Sequence, residues 1–234
     1  MVAVEEFVAE GQDDREGHRA RLRRRFAEGG GGALADYELL ELLLFYARPR
    51  IDTKPMAKEL IRRFGSLAGV LAAEPRALTE VPDVGDSAAT LLKAVREAGQ
   101  RLAREEVIDR PVLSSWDKVL AYCRARLAHE PTERLHLLFL DRRNALIDDF
   151  VQPTGTVDQA PVYPREVVKR ALDLGATAII MVHNHPSGDP TPSQSDIDIT
   201  REVARAAAAL GIDLHDHIVI GRKGNVSFRS QGLI

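Results

Sequence analysis

The stretch AIIMVHNHPSGDPTPSQSDIDI, residues 178–199, decides how the second half of this chain folds. Its first five residues form a short apolar run, which is typical of a buried strand. Three prolines and a glycine within residues 186–192 oppose regular structure and indicate a stiff, turning loop. Apolar residues of helical spacing then follow Ser193. The sequence therefore predicts a strand, a rigid loop and the start of a helix.

Three side chains of this stretch have the chemistry of metal ligands. His183 and His185 stand two residues apart, and in an extended chain that spacing places both rings on one side. Asp196 falls in the first turn of the predicted helix. Two imidazole nitrogens and one carboxylate oxygen are the protein ligands of many catalytic zinc sites, where the fourth position is left for water. We therefore predict a zinc site on His183, His185 and Asp196.

An alternative explains part of the same pattern without a metal. Ser193 and Asp196 have the spacing of a capping box, in which the two side chains satisfy backbone groups at a helix start. A structural zinc site would need four protein ligands, often cysteines, and Cys123 is the only cysteine. Imidazole ligands favour zinc over manganese, although the supply of each metal decides which one is bound.

These residues resemble those of the JAMM or MPN+ metallopeptidases, whose signature is His-x-His, seven residues and Ser-x-x-Asp. The string HNHPSGDPTPS, residues 183–193, is similar to the RadC branch of that family. Three further segments look like RadC sequences: GTVD at 155–158, VYPREV at 162–167 and LHDHIVIG at 214–221. The resemblance implies an α/β domain with a mixed sheet, similar to the zinc deaminases. It also implies zinc-dependent cleavage of a peptide or isopeptide bond by metal-activated water.

The resemblance also assigns catalytic roles to two side chains. Ser193 is expected to donate a hydrogen bond to the developing oxyanion or to the water. JAMM enzymes use an upstream glutamate as the general base, but the strand predicted at 145–152 contains none. Glu166 is therefore predicted to be the base. The alternative is that this glutamate only complements the dipole at the start of its helix.

A second histidine pair lies at the start of the last long strand candidate. His215 and His217 share one face of an extended chain. We expect them not to bind the metal directly, and we expect Asp216 or His217 to orient a ligand imidazole.

The first half of the chain, predicted as a helical domain over residues 1–107, precedes an α/β domain over 108–234. Its segment VPDVGD, residues 81–86, resembles the hairpin of the helix-hairpin-helix region that RadC proteins carry. Such hairpins bind nucleic-acid phosphates through backbone N–H groups. Here Asp83 replaces the first glycine of the usual pattern, and both it and Asp86 would repel a phosphate. An arginine-rich cluster at 15–25 can bind phosphate or simply form a solvated helix face.

Two alternatives to the peptidase follow from these features. One is a DNA-associated repair or recombination accessory protein, in which the helical half binds DNA. The other is a metal-dependent nuclease, because metal-activated water also attacks phosphodiesters. The net charge of −3 gives no global electrostatic reason for binding DNA or a membrane. One cysteine, no secretory signal and no apolar run of membrane length predict a cytoplasmic protein without membrane contact.

Overall fold

The computed structural model describes residues 17–152 and 162–234. The RadC-like segment at 155–158 lies outside the described residues. The chain divides into two compact units, Met1–Glu97 and Ala98–Ile234. The domain limits predicted from the sequence, 1–107 and 108–234, stay a prediction.

The first unit is helical, and its helices are short. Helix α1 covers residues 17–29 of the described chain, and a single turn of 3-10 helix at Gly31–Ala33 follows it. The next helices are α2 Asp36–Ala47, α3 Lys54–Phe64, α4 Leu67–Ala72, α5 Pro75–Thr79 and α6 Asp86–Glu105, the last of which runs past the end of the unit. Local signals explain several ends: α3 stops at Gly65, whose φ is 81°, and Ser66 caps α4 by accepting a hydrogen bond from the Gly69 amide.

A hairpin joins α5 to α6 in the first unit. Val81 and Val84 are buried in the helical core on either side of Pro82 and Asp83. The φ of Asp83 is 66°, in the left-handed region where glycine is usual and where aspartate is tolerated better than most residues. Its side chain is 69% exposed, so the carboxylate projects from the hairpin toward solvent.

The second unit is an α/β domain with a five-stranded mixed sheet. Its strands are β1 Leu135–Leu140, β2 Leu146–Val151, β3 Ala178–Asn184, β4 Asp213–Gly221 and β5 Gly224–Ser227. Its helices beyond α6 are the 3-10 turn Val112–Ser115, α7 Trp116–Leu127, α8 Pro164–Asp173 and α9 Gln194–Ala208. The strand order is β2-β1-β3-β4-β5, and every neighbouring pair is antiparallel except β3 with β4. The strand predicted at 145–152 and the strand predicted from the apolar run are confirmed as β2 and β3.

The two faces of this sheet bury separate apolar clusters. Ala178, Ile180 and Val182 pack against α7. Ile179 and Met181 point to the other face and pack against α8 and α9. Because successive side chains of a strand point to opposite faces, β3 is buried on both sides and is apolar throughout until its last two residues.

Pairing places several chain segments around the end of β3. β3 runs antiparallel to β1, so the start of β1 lies beside the end of β3, with Leu135 opposite His183. β4 runs parallel to β3 and places Val219 opposite the same histidine. Within residues 17–152 and 162–234, no helix combines the length and the apolar character needed to span a bilayer.

Candidate metal site

The two histidines of the HNH stretch meet at the end of β3, as their spacing predicts. His183 is buried, and His185 is half-buried just beyond the strand. The Nε2 atoms of the two rings lie 3.0 Å apart. The backbone holds the second histidine in place, because the His185 amide donates to the Ile220 carbonyl at 2.9 Å.

Asp196 brings a carboxylate to the same point from the first turn of α9. Its Oδ1 lies 3.4 Å from His183 Nε2, and its Oδ2 lies 3.4 Å from His185 Nε2. One ligand atom from each of the three residues falls within 4.8 Å of the others. His183, His185 and Asp196 can therefore bind a metal ion together.

The capping box and the ligand cluster occur together, although the sequence presented them as alternatives. Ser193 is the N-cap of α9, and its Oγ accepts a hydrogen bond from the Asp196 amide at 3.2 Å. Asp196 Oδ2 in turn accepts from the Ser193 amide and from the Ser193 hydroxyl, each at 2.7 Å. The cap fixes the carboxylate through Oδ2 and leaves Oδ1 directed at His183.

A chain of hydrogen bonds assigns the proton positions on His183. The Thr200 hydroxyl donates to the Asp196 carbonyl, which can only accept. Thr200 Oγ1 therefore accepts from His217 Nδ1 at 2.5 Å, and His217 Nε2 carries no proton in the neutral ring. His217 Nε2 then accepts from His183 Nδ1 at 2.8 Å. His183 consequently presents a bare Nε2 to the cluster.

The proton on His185 follows from a single contact. Its Nδ1 lies 2.9 Å from the Asp189 carbonyl oxygen, which can only accept, so Nδ1 carries the proton. Two bare Nε2 atoms, one on His183 and one on His185, therefore face each other at 3.0 Å. Lone pairs at this distance repel, and a cation between them removes the repulsion. The donor set fits a metal ion for this reason.

Burial and neighbouring groups set the charge states around the cluster. Burial raises the pKa of Asp196, whereas the hydrogen bonds from the Ser193 hydroxyl and amide lower it, and the pKa lies below its usual range. Burial places the pKa of His217 well below its usual value. The site therefore combines a charged carboxylate with a neutral supporting imidazole.

The structure separates the members of the second histidine cluster. We expected either Asp216 or His217 to orient a ligand imidazole, and it is His217 that contacts His183. Asp216 instead accepts hydrogen bonds from the amides of His217 and Arg229 and from the Ser227 hydroxyl, so it secures β4 and β5. His215 Nε2 lies 2.7 Å from Asn144 Oδ1. In the described part of the chain, the grouped metal-ligand candidates are His183, His185 and Asp196 alone.

Two glutamates differ in their position relative to this cluster. Glu166, the base predicted from the sequence, is exposed and lines a cavity of about 320 Å³ with Phe150, Arg170 and other residues. Glu133 lines a different cavity, of about 30 Å³, together with His183 and Asp196. Glu133 thus lines the cavity beside the cluster, whereas Glu166 lines a different one.

Glu133 escaped the sequence analysis because it lies in a polar stretch before β1 rather than in β2. The signal that could have found it was pairing: an antiparallel neighbour of β3 that begins at Leu135 places the preceding residues beside the ligand histidines. Among the described residues, its carboxylate has no hydrogen-bond or ion-pair partner.

The fold and the clustered ligands define a JAB domain with a His-His-Asp set that can hold a metal. The family model described as RadC-like JAB domain matches residues 113–233. A UPF0758 protein of Rhodobacter capsulatus is 59% identical to this chain over 213 residues, which cover 91% of this chain and 100% of that relative. The chain belongs to the RadC family.

Proposed function

We propose that the protein is a zinc-dependent hydrolase that cleaves a peptide or isopeptide bond. The observation that carries this proposal is one site in which two bare imidazole nitrogens and a charged carboxylate converge beside a second, unpartnered carboxylate on Glu133. Three ligands with an adjacent acid or base are the composition of catalytic rather than structural zinc sites. The JAB family suggests an amide as the bond that is cleaved.

Zinc is the metal that the donor set favours. Imidazole nitrogens bind zinc more tightly than manganese, and two of the three ligand residues are histidines. Bound zinc lowers the pKa of its water to about 7 and polarises a substrate carbonyl.

Glu133 is the general base in this proposal, in place of Glu166. Glu133 lines the cavity that His183 and Asp196 also line, and its carboxylate has no hydrogen-bond or ion-pair partner among the described residues. It accepts a proton from the attacking water and delivers that proton to the leaving nitrogen. Glu166 lies against Arg165, 3.4 Å away, in the first turn of α8. There it complements the helix dipole.

Ser193 has two roles in the proposed mechanism. Its hydroxyl orients the Asp196 carboxylate through the 2.7 Å contact. We retain it as the donor to the developing oxyanion, a role that requires its proton to turn from Asp196 Oδ2 toward the substrate.

Metal content tests the site directly. Mass spectrometry of the purified wild type is expected to find about one zinc per chain, because three converging ligands hold one ion. The His183→Ala/His185→Ala variant is expected to lose it. His215→Ala is the matched control, since it removes a histidine of the same unit that contacts Asn144 instead. Equal zinc in wild type and double variant would remove the proposal.

Turnover tests the base. Zinc-loaded wild type is incubated with internally quenched peptides and with a lysine-linked isopeptide, and cleavage is followed by fluorescence. Glu133→Gln is expected to slow cleavage by roughly 10²- to 10⁴-fold with zinc content unchanged, because general-base catalysis contributes that much. Glu166→Gln is expected to cleave as the wild type does. The opposite ranking of the two variants would restore Glu166.

DNA binding by the helical unit, and with it the accessory or nuclease function, remains a prediction. The contacts within the helical unit support DNA binding less strongly than the candidate metal site supports peptide cleavage. Arg19 donates to the carbonyls of Arg48, Pro49 and Ile51. Arg25 forms an ion pair with Glu38 at 2.8 Å. Part of the basic cluster is therefore engaged in contacts within the helical unit. A labelled duplex titrated at rising salt tests it, because phosphate contacts release counterions and weaken steeply with salt. The helix-hairpin-helix and deaminase-like assignments, and a cytoplasmic location, likewise rest on the resemblance and the composition.

A further inference from the structure

We propose that Asn184, the residue between the two ligand histidines, is a positioning residue that holds Glu133 in register with the metal ligands. The inference rests on the proposed function, because it assigns the means by which that site is completed.

Asn184 lies on the opposite face of β3 from His183. Side chains alternate along a strand, so the residue next to a ligand points away from the ligand cluster. The side chain is 1% exposed, and its buried amide needs hydrogen-bond partners. It finds them in the segment 130–134, which precedes β1.

Three hydrogen bonds join this amide to the backbone of that segment. Asn184 Oδ1 accepts from the Arg134 amide at 2.9 Å. Its Nδ2 donates to the Thr132 carbonyl at 3.0 Å and to the Glu130 carbonyl at 3.4 Å. The partners fix which end of the amide is oxygen, because an N–H needs an acceptor and carbonyls need a donor.

These contacts bracket Glu133. Thr132 and Arg134 are its two chain neighbours, and Asn184 binds a backbone group of each. β1 itself begins only at Leu135, so the side chain of Asn184 continues the attachment to β3 beyond the paired strands. An ion pair between Arg134 Nε and Glu130 Oε2, 2.7 Å apart, closes the same segment on itself. The backbone that carries the base is thus tied to the strand that carries the ligands.

The chemistry of the contact requires asparagine. One planar group supplies an acceptor for one amide and two donors for two carbonyls. Aspartate keeps the acceptor but sets a negative oxygen against carbonyl oxygens, and alanine keeps neither function. The ligands do not depend on this amide, because His183 and His185 are oriented by His217 and by the Asp189 carbonyl.

Cobalt(II) as the metal probe tests the inference without a substrate. The paramagnetic ion shifts nearby amide resonances by amounts that depend on their position relative to it. We would measure these shifts by NMR for the Glu133 amide and for the Val219 amide of β4 in wild type, Asn184→Ala and Asn184→Asp. Asn225→Ala is the control, since it removes an amide side chain from β5.

The expected result is a loss or large change of the Glu133 shift in both Asn184 variants, with the Val219 shift and the cobalt uptake as in wild type. Changes in both reporters together with reduced uptake would overturn the inference, because Asn184 would then support the whole site rather than position Glu133. Should Asn184→Ala not fold, the similarly sized Asn184→Asp alone gives the comparison. An unchanged Glu133 shift in a variant that binds cobalt would overturn the inference and leave the proposed function intact. No cobalt uptake by the wild type would overturn both.

Discussion

Two histidine–aspartate clusters lie on opposite faces of the same sheet, and they differ in how their polar atoms are matched. On the α7 face, Asp149 of β2 accepts from Tyr122, His136 and Arg104 at 2.6, 2.7 and 2.6 Å. Each donor meets an acceptor. On the other face, His183 and His185 point bare nitrogens at each other beside Asp196.

The difference teaches how to separate a structural cluster from a ligand cluster of the same residue types. The contacts of Asp149 hold its pKa well below the usual range even though burial opposes this, so the ion pair is complete without any further group. His136 Nδ1 is buried with no described partner, but it stands alone and has no second ligand atom beside it. Converging acceptors, rather than buried histidines as such, indicate a cation.

The largest expected effect tests whether the Asp149 cluster is structural. Asp149→Asn removes a buried charge that three donors share, and we expect a loss of about 3 kcal/mol in unfolding free energy, because the donors are left poorly matched. Zinc affinity should not change. Urea unfolding and zinc titration measure the two quantities. Asp148→Asn is the control, because that carboxylate is 34% exposed and its contact with Arg104 is longer, at 3.3 Å. Equal losses in the two variants would contradict a special role for Asp149.

The next largest effect tests the proton assignment of His217 and His183 in the candidate metal site. Thr200→Val removes the hydroxyl that fixes the His217 proton, so His217 no longer holds the His183 tautomer. We expect zinc affinity to fall by about 10- to 100-fold, the usual effect of losing a group that orients a ligand. Competition with a chromophoric chelator measures it. Thr177→Val, a threonine in the turn before β3, should bind zinc as the wild type does. If both variants bind equally well, the proton assignment is wrong.

A pH effect tests the contribution of His136 to stability. Burial lowers the pKa of His136, although Asp149 opposes the shift and Arg126 and Arg104 reinforce it. Below a pH of about 6.5 the unfolded chain therefore binds a proton that the folded chain does not, and stability falls as pH falls, by at most about 1.4 kcal/mol per unit. Urea unfolding with a chelator present, at several values between about pH 7.5 and 5.5, should show a shallower decline in His136→Gln. Parallel declines would mean that this imidazole does not contribute.

The smallest expected effect concerns Ser193, which caps α9 and also orients the Asp196 carboxylate. Ser193→Ala removes the N-cap of α9 and the hydrogen bond that orients Asp196. We expect about 1 kcal/mol less stability, the typical value for a lost cap, together with weaker zinc binding. Ser195→Ala lies in the same helical turn and is exposed, so it should change neither quantity. Normal zinc binding in Ser193→Ala would show that the cap does not position the carboxylate.

Much of the second unit could be predicted because local pattern determines it. The apolar run at 178–182, the loop-forming prolines and the helical spacing after Ser193 each specify one element, and the ligands follow from those elements. The contact of His217 with His183 could be predicted only as one of two options, the other being Asp216. Strand alternation places a residue on one face of the sheet but does not determine which residue it contacts there. The choice between cap and ligand could not be made from spacing, because one carboxylate serves both.

The position of Glu133, the proposed base, could not be predicted because it depends on strand pairing. Glu133 and His183 are far apart in sequence, and only the antiparallel neighbourhood of β1 and β3 brings them together. Glu166 occupied a segment with a recognisable pattern, which favoured it in the sequence, but α8 carries it to another cavity. The same limit hid the role of Asn184, whose partners are backbone atoms and leave no sequence pattern.

The parallel pairing of β3 with β4 through α9 has a consequence for how a bound metal would stabilise the second unit. All three ligands, together with Thr200 and His217, belong to this single strand-helix-strand segment. A metal bound there closes only short loops, and the entropy lost in closing a loop grows with its length. Chelation there would therefore stabilise this segment without help from β1 and β2. Glu133, which precedes β1, reaches the site only when β1 is paired with β3.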